Sequence, residues 1–163
     1  MANLAKLDVD IVNLHAAGGK KMMEAAIEGL NIGAINGKRP LCIAVTQLTS
    51  TSKEAMNDEL LIPGEVVDCC LHYAKMAKEA GLDGVVCSPH ESLKIHELLG
   101  DDFITVTPGI RLKDNSKDDQ VRIATPEYAY NNKCNYIVVG RAITKADDPY
   151  KTYQEIERTM QGE

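Results

Sequence analysis

The chain has 163 residues, 44% of them hydrophobic and 26% charged, which is the composition of one globular domain and not of a disordered segment. Its net charge is −6, both signs are interspersed and no basic block occurs, so nucleic acid is not expected as a partner. No apolar run is long enough to cross a bilayer and the N-terminus lacks the pattern of a signal peptide, so no membrane partner is expected. The five cysteines show no C-x-x-C spacing, which predicts a reduced, cytoplasmic protein without zinc.

Short β-branched runs alternate with longer helical patterns along the chain. The strands are nearly continuous apolar runs, which is typical of a parallel sheet buried on both faces. In chain order the predicted strands are Asp10–Leu14, Leu41–Thr46, Gly84–Ser88, Phe103–Thr107 and Tyr136–Gly140. The predicted helices are Lys20–Leu30, Glu65–Ala80, Glu91–Leu99, Pro126–Lys133 and Pro149–Met160. This order predicts an α/β fold with right-handed crossovers in a single domain, residues 1–163.

The first element, Ala2–Leu7, resembles the end of a helix, because Leu4 and Leu7 recur at helical spacing. A chain that begins in mid-helix is expected to be the C-terminal part of a larger protein. The alternative is a short free-standing α/β domain, and the pattern favours truncation.

In parallel α/β proteins the functional loops follow the C-terminal ends of the strands. After the first predicted strand, the glycines in His15–Lys20 allow a tight turn into a helix, whose N-terminus could also contact an anion. The scaffold turn is the favoured interpretation. After the second strand, Gln47–Ser52 is rich in hydroxyl and amide groups. Such a cluster either reads the edge of a polar heterocycle or caps the next helix.

The loops after the last two strands predict a phosphate site. Thr107–Arg111 begins a long polar segment that reaches Gln120, and a loop of this length in a compact barrel is usually functional or disordered. The last strand ends in Gly140 and Arg141, where glycine permits close approach of the backbone and arginine offers a planar fork. Because phosphate sites commonly form at these loops in (β/α)8 barrels, Arg111 and Arg141 favour phosphate binding over two surface arginines.

Three histidines carry no metal signal. His72, His90 and His96 share no ligand spacing with a carboxylate or a cysteine, so we expect surface or capping roles for them.

Taken together and in order, these segments resemble strands 4 to 8 of bacterial orotidine 5′-phosphate decarboxylases. The resemblance covers essentially the whole chain and implies a partial (β/α)8, or TIM, barrel made of strands 4–8 with their helices. It is carried by the segments Asp10–Gly19, Ala44–Ser50, Gly81–Ser88, Thr107–Arg111 with Asp119–Arg122, and Ile137–Arg141 with Ile143 and Thr144.

The resemblance also implies roles for individual residues. Thr49 would hydrogen-bond the pyrimidine and Pro108 would pack beside it. Phosphate would be held by Arg111, Gln120, the N–H of Gly140, and Arg141. The family reaction converts orotidine monophosphate to uridine monophosphate and CO2 in de novo pyrimidine biosynthesis, without a metal or cofactor, in a homodimer.

One family motif is absent. The protonating lysine of the family lies in a D-x-K-x-x-D-I motif on strand 3, and this sequence contains no such motif. We therefore expect that strands 1–3 are missing and that the chain holds no catalytic residue. Alone, it is expected to be inactive, and to be oligomeric through non-native contacts, aggregated or partly molten. The alternatives are a non-catalytic phosphate- or nucleotide-binding protein on a partial barrel, and a hexulose-phosphate synthase relative. Thr49 and the loop from Arg111 to Gln120 favour the pyrimidine enzyme over the latter.

Overall fold

The computed structural model of the chain describes residues 1–112 and 123–163. Strands and helices alternate through both parts. The strands are β1 (Ile11–His15), β2 (Leu41–Val45), β3 (Gly84–Val86), β4 (Ile104–Thr107) and β5 (Tyr136–Ile137). The helices are α1 (Ala2–Ala5), α2 (Lys20–Gly33), α3 (Val66–Glu79), α4 (Pro89–Leu99), α5 (Pro126–Asn131), α6 (Arg141–Thr144) and α7 (Pro149–Gln161). A 3-10 turn spans Ala16–Gly18 and a π-helical turn spans Ala55–Glu59.

The five strands form one parallel sheet in the order β1-β2-β3-β4-β5. Parallel neighbours that follow one another in the chain need a crossover between them, and each of the four crossovers contains a helix. Tyr136 at the start of β5 lines the same cavity of about 780 Å³ as Ile11 at the start of β1 and Asp10 before it, so the sheet curls. The parallel α/β fold predicted from the sequence is confirmed, and the curled sheet is part of a (β/α)8 barrel wall.

The main core lies between the sheet and α2, α3 and α4. Met23 and Leu30 of α2 and Ile95 of α4 are fully buried there. Cys42, within β2, and Cys87, directly after β3, are buried as small hydrophobic residues. Gly84 allows β3 and β4 to approach closely, because a Cβ at this position would collide with the carbonyl oxygen of Ile104.

An ion pair ties β2 to β3 at the N-terminal ends of the strands. The guanidinium of Arg39 donates to both carboxylate oxygens of Asp83, at 2.6 and 3.1 Å. The same carboxylate accepts from the backbone N–H of Cys42 at 2.7 Å. This charge-assisted network fixes the end of the sheet opposite to the predicted functional loops.

Most observed elements differ from the predicted ones by one to three residues at an end, and two of these differences have a clear structural reason. Strand β5 was predicted to reach Gly140 but ends at Ile137, because β4 stops at Thr107 and Gly109 then turns the chain with a φ of 87°. Helix α4 was predicted from Glu91 and begins at Pro89, because Ser88 is its N-cap. The side chain of Ser88 accepts from His90 N–H, and Glu91 accepts from the N–H of Ser88 at 2.8 Å, which completes a capping box.

The surface or capping role expected for His96 is wrong. His96 is 5% exposed and its Nε2 lies 3.0 Å from the carbonyl oxygen of Lys133. It adjoins a buried polar cluster in which the Thr105 hydroxyl lies 2.9 Å from that of Ser92 and donates to the side-chain oxygen of Asn135 at 3.1 Å. His96 therefore helps to join α4 to the segment before β5.

Candidate functional site

The carboxyl ends of all five strands meet at one edge of the sheet, because every pair is parallel. Thr107 at the end of β4 is in register with Ile137 at the end of β5. The segment that begins at Pro108 and the segment that begins at Val138 therefore leave the sheet side by side. These two segments carry the arginines predicted to bind phosphate.

Arg111 is buried, with only 7% of the residue exposed. Its Nη1 donates to the carbonyl oxygen of Ile110 at 2.9 Å, whereas its buried Nη2 has no hydrogen-bond partner in the part of the chain that the structure describes. A buried cationic donor without an acceptor is costly, and such groups in proteins normally meet a counter-charge or a ligand. The guanidinium is therefore suited to receive an anion.

The backbone around Arg111 is fixed by a short parallel bridge. The N–H of Arg111 donates to the carbonyl oxygen of Ala124 at 2.9 Å, and the N–H of Ala124 donates to that of Gly109 at 3.0 Å. Ile110, between these two bonds, is fully buried. The position of Arg111 thus depends on a segment that follows it by more than ten residues in the chain.

Gly140 and Arg141 stand at the start of α6. A Cβ built on Gly140 would meet no atom within 4 Å, so its backbone borders open space. Its carbonyl oxygen accepts from the N–H groups of Ile143 and Thr144, and its own N–H has no partner among the described residues. Arg141, the first residue of α6, is half-buried. The exposed glycine N–H is thus available to a ligand beside Arg141.

Two residues of the polar cluster after β2 are buried. Thr49 is 6% exposed and Gln47 is 8% exposed. The Gln47 amide donates to Sγ of Cys69 at 3.4 Å, and the Ser52 hydroxyl accepts from the N–H of Ala55 at 3.1 Å. Ser52 thus bonds the backbone at the start of the π-helical turn, whereas the next long helix, α3, has no side-chain cap. The contact of Thr49 with a heterocycle stays a prediction.

Three further predicted features have separate outcomes. The tight turn after β1 is confirmed, since Gly19 has a φ of 84° and α2 begins at Lys20. Pro108 is half-buried directly after β4. Gln120, together with the predicted Asp119–Arg122 segment, lies outside the described residues.

Residues 1–112 and 123–163 contain neither a candidate metal site nor a candidate membrane span. No three His, Cys, Asp or Glu side chains come together there in a way that could hold a metal ion. None of the helices in these ranges has both the length and the apolar character needed to cross a bilayer.

Comparisons with known proteins cover nearly the whole chain. A family described as "Orotidine 5′-phosphate decarboxylase / HUMPS family" matches residues 1–156. An orotidine 5′-phosphate decarboxylase of Bacillus cytotoxicus is 55% identical over 99% of this chain and 68% of its own length. The crystal structure of the Lactobacillus acidophilus enzyme of that name superposes with a TM-score of 0.83 at 41% identity, over 98% of this chain and 66% of that one. A conserved protein of Geobacillus kaustophilus gives a TM-score of 0.81 at 45% identity, over 98% of this chain and 67% of that one. With a parallel α/β fold, and arginines after its last two strands, the chain belongs to the orotidine 5′-phosphate decarboxylase family.

Proposed function

We propose that this chain forms the phosphate-binding part of an orotidine 5′-phosphate decarboxylase site. Arg111, the N–H of Gly140 and Arg141 hold the phosphate group, and Gln120 is assigned to the same group from sequence alone. The observation that carries the proposal is the buried Nη2 of Arg111, which has no partner among the described residues. Charge-assisted bonds from arginine and from an exposed backbone N–H are the interactions that a phosphate monoester requires.

The substrate proposed for this site is orotidine monophosphate, and the products are uridine monophosphate and CO2. Thr49 donates to or accepts from the pyrimidine edge, and Pro108 packs beside the ring. No metal or cofactor takes part in the proposed reaction. The phosphate is remote from the reacting carbon. Binding energy at such a remote group can lower the free-energy barrier of the reaction at that carbon.

Proton transfer to the reacting carbon needs a group that this sequence does not supply. The D-x-K-x-x-D motif is absent from the 163 residues, so the chain binds without donating a proton. We expect no loss of orotate absorbance when the purified chain is mixed with orotidine monophosphate. Turnover that scales with the protein concentration, in a preparation from a host that lacks its own enzyme, would contradict this.

The phosphate site is tested by calorimetric titration with uridine monophosphate. Replacing Arg141 by Ala removes charged hydrogen bonds, and we expect the affinity to fall about tenfold or more. Arg158→Ala is the matched control, since Arg158 is an exposed arginine in the last turn of α7. Equal affinities of the wild type and Arg141→Ala would place the site elsewhere, and absence of binding by the wild type would refute the proposal.

A further inference from the structure

His90 and Tyr128 meet where the chain returns to the predicted phosphate-binding edge. His90 lies in the first turn of α4 and Tyr128 lies in α5. Nδ1 of His90 is 3.0 Å from the Tyr128 hydroxyl, and Nε2 is 3.1 Å from the carbonyl oxygen of Ile123. The two rings are 4.9 Å apart between centroids at an angle of 57°. The imidazole therefore bridges a backbone carbonyl and a phenol hydroxyl.

The partners of this bridge determine the tautomer of His90. A neutral imidazole has one N–H donor and one acceptor nitrogen. The carbonyl oxygen of Ile123 can only accept, so Nε2 carries the hydrogen and Nδ1 accepts from the Tyr128 hydroxyl. Both helices are capped next to the contact, α4 by Ser88 and α5 by Thr125, whose hydroxyl accepts from the N–H of Tyr128 at 3.2 Å. The contact of His90 with Tyr128 therefore lies between the capped N-termini of α4 and α5.

From Ile123 the connection continues to Arg111 through the backbone. Ile123 precedes Ala124, which accepts from the N–H of Arg111 and donates to the carbonyl oxygen of Gly109. Loss of the hydrogen bond from His90 to Ile123 would therefore weaken the parallel pairing of Ile110 with Ala124. We propose that His90 is a positioning residue that fixes Ile123 and Ala124 and so orients the buried guanidinium of Arg111. The effect on a bound phosphate rests on the function proposed above.

Amide hydrogen exchange tests the positioning role without any ligand. In His90→Phe the ring contact with Tyr128 is kept and both hydrogen bonds are lost, so the amides of Arg111 and Ala124 should exchange about tenfold faster. His90→Gln offers one donor and one acceptor and should restore much of the protection. His72→Phe is the matched control, because His72 is also exposed beside a tyrosine, with its ring 6.1 Å from that of Tyr73. Unchanged exchange in His90→Phe, or no recovery in His90→Gln, would overturn the proposal.

A double-mutant cycle with uridine monophosphate asks whether this positioning affects the ligand. His90→Phe should weaken binding roughly threefold to tenfold in the presence of Arg111, and should have no effect in an Arg111→Ala background. Equal effects in both backgrounds would overturn a role that acts through Arg111. If the wild type bound no uridine monophosphate, the proposed function would fail, while the exchange measurement would still decide whether His90 fixes the backbone.

Discussion

At the scale of single residues, the five cysteines differ in how deeply their thiols are buried. Burial, followed by the negative charge of Asp83, raises the pKa of Cys42 from 9.0 to about 11, and burial likewise raises the pKa of Cys134. Cys69 is only half-buried. We expect iodoacetamide at neutral pH to modify Cys69 first, because a thiol reacts as an accessible thiolate. Peptide mass spectrometry over a time course measures this, and equal labelling of Cys42 and Cys69 in folded protein would contradict it.

The raised pKa of Cys42 also gives a pH dependence. An acid whose pKa is higher in the folded state stabilises the fold in its neutral form. This contribution is fully present below the unfolded pKa of 9.0 and is lost as the pH rises towards about 11. The free energy of unfolding should therefore fall between these pH values, and it should fall less in Cys42→Ala. Urea titrations of both proteins at pH 8 and pH 10 measure the difference, and an equal fall in the two would rule out Cys42 as the cause.

The carboxylate of Asp83 is expected to contribute more stability than an exposed carboxylate. Asp83→Ala leaves the Arg39 guanidinium and the Cys42 N–H without their acceptor, and should lower the free energy of unfolding by about 2–3 kcal/mol. Asp101→Ala is the control, because Asp101 lies 3.5 Å from Lys133 with both side chains largely exposed. Its loss should cost less than about 1 kcal/mol. Urea denaturation compares them, and equal losses would contradict the role of the network.

At the scale of elements, local chemistry explains which boundaries the sequence predicts. The N-terminal ends of α2, α5 and α7 match because glycine or proline marks each start. The start of α4 was placed two residues late, although the Ser88-Pro89-x-Glu91 pattern is a capping-box signal that could have located it. The end of β5 could not be predicted, because it depends on where its neighbour β4 stops.

The capping box gives a prediction for α4. Ser88→Ala removes the acceptor at the helix start and should lower the free energy of unfolding by about 1 kcal/mol. Ser50→Ala, at an exposed serine outside any helix or strand, should change it by less than about 0.5 kcal/mol. Thermal unfolding of both variants provides the comparison, and equal stability of Ser88→Ala and the wild type would show that the cap contributes little.

Some residues of the candidate site were chosen from the sequence alone. Arg111, Gly140 and Arg141 were selected by residue type and by position after consecutive strands, and their contact with a phosphate stays a prediction. The burial of Arg111 and the bond of His90 to Ile123 were not predictable, because each joins segments that are distant in the chain. A periodic pattern reports one element at a time, whereas these contacts arise only when neighbouring elements pack.

At the scale of the whole molecule, β1 and β5 are the two edges of the described sheet. A cavity of about 430 Å³ opens beside β5 between the sheet edge and α7, and its walls include Ile137, Val139 and Ile156. Ile11 of β1 is 37% exposed. Strand edges with unpaired N–H and C=O groups beside apolar surface readily pair with another chain.

We therefore expect the isolated chain to self-associate through these edges. Light scattering across a concentration series should show a mass that rises with concentration. Amides of β1 and β5 should exchange faster than those of β3, which is paired on both sides. Replacing Val139 by Lys would place a charge beside the apolar cavity and should reduce association, whereas Leu98→Lys, at an exposed position of α4, is the control and should not. A concentration-independent monomer whose β1 and β5 amides are as protected as those of β3 would contradict the prediction, because it would mean that both edges are already covered within one molecule.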